Sequence, residues 1–195
     1  MDTICKKASK QINALFRLRN VLDTSGKLKL YYAFIRSYFN HCPLVWHLCR
    51  IQKSKKMEKI QHRALKFVFN DSESSYSKLL ECANSCSLVN WRLKCLSVEI
   101  FKNVHIIGPS CPLSGYFEFR RSHYDLRFDN RLSLKRFNTM TYGQNSISHK
   151  GTLLWNSLPS AMRQCTDLHE FSKLADDFFS IICCCGTCYS CVCTP

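Results

Sequence analysis

Apolar residues recur along the first half of the chain at steps of three and four, the spacing of one helical face. Ile4, Ala8, Ile12, Leu15, Leu18 and Leu22 predict a first helix over Ile4 to Leu22, broken by Asp23-Thr24-Ser25-Gly26. A second helix is expected over Lys27 to Asn40. There Leu28, Tyr31, Tyr32, Phe34, Ile35, Tyr38 and Phe39 are apolar on most sides, and Pro43 stops or kinks the helix at Cys42. Ser54 fits the N-cap of a third helix, Lys55 to Phe69, which closes at Asn70-Asp71-Ser72. A short helix over Tyr76 to Cys82 and a longer one over Leu88 to Ile107 follow, the latter ended by Gly108-Pro109.

Beyond Cys111 the periodicity fades. Residues 112 to 152 mix single aromatics with Arg, Asn, Ser and His, and read as irregular chain with one short strand near Tyr124 to Phe128. Trp155-Asn156-Ser157-Leu158-Pro159 reads as an apolar turn, and Asp167 with Glu170 resembles a capping box for a last helix, Leu168 to Ile182. The expected fold class is mainly α: a helical bundle, an irregular basic segment and a C-terminal helix. The segments are 1–70, a helical extension 71–110, a basic irregular stretch 111–164, the helix 165–182 and a cysteine-rich tail 183–195.

Composition sets the bounds. At 195 residues and 46% hydrophobic, the chain can bury the core of one domain, with or without an appendage. No apolar run approaches the roughly 20 residues that span a bilayer. The first residues carry no basic stretch followed by an apolar block, so the expectation is an intracellular protein, cytoplasmic or nuclear, with no membrane partner.

Charge changes the picture more. Residues 1 to 70 hold 15 basic and 3 acidic side chains, and residues 120 to 164 hold 8 and 2, separated by a nearly neutral spacer with 4 and 5. On the third helix, Met57, Ile60, Ala64, Phe67 and Val68 cluster on one arc, while Lys56, Lys59, Arg63 and Lys66 occupy the next. Neighbouring cations repel, and the one nearby acid, Glu58, points elsewhere; a phosphate backbone would offset the repulsion. The second block, Arg120, Arg121, Arg127, Arg131, Lys135 and Arg136, is interleaved with Tyr124, Phe128 and Phe137, which suits phosphate forks beside stacked bases. Nucleic acid, as duplex or single strand, is the expected partner.

Metal chemistry has weaker support. Of 14 cysteines, six lie in the last thirteen residues, and the others sit in apolar segments where a thiol is core filler. His41, Cys42, His47 and Cys49 match no common zinc spacing. The tail contains C-x2-C-x2-C at Cys185, Cys188 and Cys191, and leaves open a metal or redox module. No metal or other cofactor is expected. No Ser-His-Asp order, phosphate-cradling glycine loop or H-E-x-x-H is present, so the chain is not expected to be an enzyme.

Several strings together resemble a known family. Lys7-Ala8-Ser9-Lys10 with Ile12-Asn13-Ala14-Leu15, then Tyr32-Ala33-Phe34-Ile35 and Phe39-Asn40-His41-Cys42-Pro43-Leu44-Val45-Trp46, are similar to the region after the polymerase core of non-LTR (LINE-type, jockey-like) retrotransposon reverse transcriptases. Lys59-Ile60-Gln61-His62-Arg63-Ala64-Leu65-Lys66 resembles that family's "K-x-Q-x-R-A-L" helix. Lys150-Gly151-Thr152-Leu153-Leu154-Trp155-Asn156-Ser157-Leu158-Pro159 resembles its terminal "G-x-x-x-W-N-x-L-P" block. The resemblance covers roughly residues 3 to 180. It implies a thumb-like helical bundle and C-terminal region without fingers or palm, and with them a truncated, non-catalytic piece of an RNA-directed DNA polymerase. The parent family's Mg²⁺ would sit in the missing polymerase core, a further expected partner. Leu174-Ala175-Asp176-Asp177 imitates the family's catalytic hairpin, but its apolar neighbours Phe171, Leu174, Phe178 and Ile181 place it on a helix. A non-functional transposon fossil is the alternative reading.

Overall fold

The computed structural model describes residues 2–44, 51–106, 115–120, 130–139 and 143–181, and most of them are helical, so the class is mainly α. The first helix, α1 (Asp2–Phe16), buries Cys5, Ala8, Ile12 and Leu15. It ends well before the predicted Leu22. From there the chain turns through tighter bonds, with the Leu18 N–H on the Leu15 carbonyl at 2.9 Å, and Leu18 and Val21 are left 42% and 78% exposed. The apolar spacing runs on, but Leu18 stays exposed and Leu22 is only half-buried, so burial gives little support to a further helical turn.

Asp23 both separates α1 from the next helix and starts it. Its carboxylate accepts the Gly26 N–H at 3.0 Å, so the four residues expected as a break are the cap and first turn of α2 (Thr24–Tyr31). A π-helical turn, Tyr32–Arg36, then joins α2 to α3 (Ser37–Asn40). Tyr31, Ile35 and Phe39 are buried, whereas Tyr32 and Phe34 are 41% and 49% exposed. This helical run is therefore apolar toward one side only.

The basic third helix of the sequence is α4 (Ile51–Phe69), which starts four residues before the predicted Lys55. Ser54 is not its cap. It lies inside the helix, 3% exposed, and its hydroxyl accepts a guanidinium N–H of Arg92 at 2.7 Å. Met57, Ile60, Ala64, Phe67 and Val68 are all buried, as their spacing predicts. The helix closes at Asn70, whose φ of 53° is left-handed, and the Asp71 carboxylate accepts the Glu73 and Ser74 N–H groups, each at 2.9 Å. The Ser74 bonds, with Glu73 behind them, hold the Asp71 carboxyl down to about 2.

Next come α5 (Tyr76–Cys82), with the residue range expected, and α6 (Leu88–Val104). The chain divides into two compact units, Met1–Arg92 and Leu93–Pro195, with the boundary inside α6. In the second unit α7 (Ile147–Ser157), α8 (Ser160–Gln164) and α9 (Leu168–Ile181) pack Trp155, Leu158, Met162, Phe171 and Phe179 around Leu96, Ile100 and Phe101. The irregular chain expected up to residue 152 is thus corrected over 147–152, and the apolar turn expected at Trp155 to Pro159 is helical through Ser157. Gly151 and Thr152 are poor helix formers, but Ser146 caps the helix by accepting the His149 N–H at 3.2 Å. Burial of Leu154 and Trp155 supplies the rest. At α9 the Asp167 carboxylate accepts the Glu170 N–H at 2.8 Å, the cap expected from the sequence. The strand anticipated at 124–128, Gly108-Pro109 and the cysteine tail lie outside the described residues. Among the described residues no helix is long and apolar enough to cross a membrane.

Candidate nucleic-acid interface

Four contacts fix how α1 lies on α4. Asp2 pairs with Lys53 at 3.8 Å and Lys56 at 3.4 Å, Asn13 Oδ1 accepts from the Arg63 guanidinium at 2.6 Å, and the Phe16 and Phe67 rings meet at 5.3 Å. Both residue numbers rise together, so the two helices run parallel. At 100° per residue, Lys56 and Arg63 fall near one line of α4, toward α1, while Lys59 and Lys66 fall 40° to 80° further round. The rail is therefore two columns.

These columns are engaged differently. Lys56 and Arg63 both reach α1, Arg63 also lying over the Phe16 ring at 5.9 Å. Lys66 donates to the Ser72 carbonyl at 2.8 Å. Lys59 is exposed, with no hydrogen bond or ion pair among the described residues. The repulsion inferred from α4 alone is thus relieved within the molecule at three of four positions. The relief at Lys56 is shallow, because an exposed ion pair contributes about 0–1 kcal/mol. Lys56 and Lys53 together lower the Asp2 carboxyl below the usual carboxylate range, the hydrogen bond from Lys56 first. On α1, Lys6 lies one turn beyond Asp2 on nearly the same strip, and Lys6, Lys7 and Lys10 are all exposed.

Glu58 points away from the rail, toward a polar cluster that the sequence reading missed. Its carboxylate accepts the Val89 N–H at 2.8 Å, the Leu88 N–H at 3.3 Å and the Tyr76 hydroxyl at 2.5 Å, capping α6 from another helix. Tyr76 also reaches Gln61 Oε1 at 2.8 Å, and the Gln61 amide donates to the Tyr31 hydroxyl at 3.0 Å. Burial, then the Glu58 charge, pushes the Tyr76 phenol far up, so it stays a donor. Gln61 is 0% exposed. A polar residue in an otherwise apolar arc was the available signal.

The second basic block is partly visible. Arg121 and Arg127, with Tyr124 and Phe128, lie outside the described residues. Phe119 and Leu132 form an isolated antiparallel bridge, flanked by the Arg120 N–H on the Arg131 carbonyl and the Ser133 N–H on the Glu118 carbonyl, each at 2.8 Å. Arg120 and Arg131 are exposed and stand opposite each other, and Lys135 approaches Glu118 at 4.0 Å. Arg136 is exposed, and Phe137 is half-buried against His149.

The W-N-x-L-P string acts as one unit. Trp155 is 0% exposed, lies nearly parallel to and offset from the Phe171 ring, with centroids 5.9 Å apart, and donates its indole N–H to the Asn130 carbonyl at 2.9 Å. The Asn156 amide accepts the Leu132 N–H at 2.8 Å and donates to the Leu132 carbonyl at 3.0 Å. Only a carboxamide offers both groups from one planar end. Leu158 is buried, and Pro159 precedes α8 where its missing N–H costs nothing. Gly151 completes the string: a Cβ there would come within 2.9 Å of Phe117 Cζ and 3.1 Å of Ile100 Cδ1. Overpacking costs about 1–3 kcal/mol and the gain in helix propensity returns about 1 kcal/mol, so Gly151→Ala should lose about 1 kcal/mol net. The urea midpoint measures this, and a stabilised variant would show that Phe117 yields freely.

Asp176 and Asp177 lie on α9, where Asp176 takes the Lys94 ammonium, and no three His, Cys, Asp or Glu side chains come together among the described residues. His41 and Cys42 are exposed, while His47, Cys49 and the tail cysteines are outside the described residues. Comparison with models of known protein families, with curated proteins and with solved structures gives no match for this chain.

Proposed function

We propose that the chain is a non-catalytic, nucleic-acid-binding piece of a non-LTR retrotransposon reverse transcriptase, contacting the phosphate backbone through the joined faces of α1 and α4. The observation that carries this reading is the parallel packing of the two helices. It sets Lys6 and Lys10 of one beside Lys56, Lys59 and Arg63 of the other, with Asp2 the one carboxylate among the described residues in contact with either column. A polyanion can displace so weak a partner. The family reading is supported by the G-x-x-x-W-N-x-L-P string, in which Gly151, Trp155 and Asn156 fill positions with specific steric or hydrogen-bonding demands. Asp176 and Asp177 lie on α9, a helical setting unlike the strand hairpin of the family's catalytic aspartates. The rest of the polymerase would be a partner chain.

The test is salt dependence. Each phosphate contact contributes about −0.9 to the slope of log affinity against log salt on duplex and about −0.7 on single strands. Changing Lys56, Lys59, Arg63 and Lys66 to Gln should lower the slope by about two to three units, fewer than four contacts because Lys66 is held by Ser72. The loss should be uniform across sequences. A folded variant with an unchanged slope would sink the α1–α4 face.

A further inference from the structure

The carboxylate of Asp2 sits between two ammonium groups of α4, with Oδ1 3.4 Å from Lys56 Nζ and Oδ2 3.8 Å from Lys53 Nζ. Lys53 is new to the rail. By helical periodicity it falls about 60° from Lys56 on the side opposite to Lys59, so the cationic surface of α4 is wider at this end than its four expected members make it. Lys53 and Lys56, three positions apart, repel each other across one turn, and a single negative charge held between them relieves that. All three side chains are about half exposed, so an anion from solution has access to the same place. Asp2 fits that place poorly. Its short stem springs from α1, and neither distance reaches the about 2.7–2.9 Å of a close charge-assisted hydrogen bond between an ammonium and a carboxylate. A phosphodiester carries the same single charge on two oxygens and has no tether to α1, so it can close on both lysines at once.

We infer that Lys53 and Lys56 form a phosphate-binding site at one end of the rail, that the Asp2 carboxylate occupies it when no nucleic acid is bound, and that Asp2 thereby competes with the backbone for it. The inference rests on the nucleic-acid reading above and adds to it a residue, Lys53, and a regulator, Asp2. The surroundings favour the exchange. Lys6 and Lys10 of α1 and Lys59 of α4 are exposed beside the pair, so an entering phosphate meets further cations. Among the described residues, Asp2 is the one carboxylate in contact with Lys53 or Lys56. Competition of this kind sets a threshold: a single free anion gains little over the resident carboxylate, whereas a polyanion that also reaches the rest of the rail displaces it.

The experiment measures binding of the full chain to a mixed-sequence duplex across salt by fluorescence anisotropy. Asp2→Asn should raise affinity about two- to fivefold at low salt, the size of one exposed ion pair, and the gain should fade as salt screens the charges. Asp2→Glu keeps the charge and should show no gain. In a chain carrying Lys53→Gln and Lys56→Gln, whose slope should already be lower by about 0.9 for the one phosphate lost, Asp2→Asn should change nothing further. Glu81→Gln removes an exposed carboxylate of α5 and should leave affinity unchanged. Equal gains from Asp2→Asn in both lysine backgrounds, or a like gain from Glu81→Gln, would reduce Asp2 to its share of the net charge and overturn the site. A folded Asp2→Asn chain that binds no better than the parent overturns it too, and if the α4 variant still loses its slope the first reading stands. Absence of salt-dependent binding by the unaltered chain overturns both.

Discussion

Trp155→Ala is expected to bring the second unit to the edge of unfolding. Truncating a buried Trp costs about 3–5 kcal/mol, and the change also strips the Asn130 carbonyl of its donor. The ring is wholly buried against Phe171 and Phe101, so no solvent-facing surface is relieved in exchange. Set against a total stability of about 5–15 kcal/mol for a domain, this is a large share. Trp155→Phe should recover roughly half by keeping a stacked ring without the N–H. Urea unfolding followed by far-UV circular dichroism measures both, and an alanine variant within about 1 kcal/mol of the parent would mean that the aromatic stack contributes little.

Glu58→Ala should cost the first unit about 2–4 kcal/mol. One carboxylate serves the Leu88 and Val89 N–H groups and the Tyr76 hydroxyl; a bond to a charged acceptor contributes about 1.5–3 kcal/mol taken singly, and three that share one carboxylate sum to less than three times that. The negative charge also sits at the start of α6, where it complements the helix dipole. Glu58→Gln keeps an acceptor oxygen and loses the charge, so it should cost less than half as much. Amide hydrogen exchange at Leu88 and Val89 gives the local readout. Protection there that survives Glu58→Ala would show that Ser87, which accepts the Asn90 N–H at 3.1 Å, caps the helix alone.

Helices declared themselves in the sequence wherever burial follows a period. The buried arc of α4 and the face of α1 through Leu15 are periodic, and the structure keeps them. The same signal overran at Leu18 and Leu22, because spacing records which residues could face a core and not whether a core is there. Ser54 has the side chain of a cap, yet its hydroxyl serves Arg92, thirty-eight positions away. Such pairings have no period. Asn156 and Leu132, or Glu58 and Val89, are joined by the direction of a few polar groups, and neither partner marks the other along the chain. The α4 rail shows the same limit: the angles on one helix were right, but Asn13 and Asp2 of α1 were invisible to them. In the second block, the opposition of Arg120 and Arg131 depends on a bridge whose strands are too short to alternate legibly.

The Asn156 amide also closes an edge. A strand that ends with its N–H and carbonyl unpaired is a template on which another chain can add a strand, and among the described residues no sheet shields it. By occupying both groups of Leu132, a side chain stands where a neighbouring molecule's backbone would otherwise dock. The residue that holds Leu132 in this short ladder therefore also guards the protein against self-association along it.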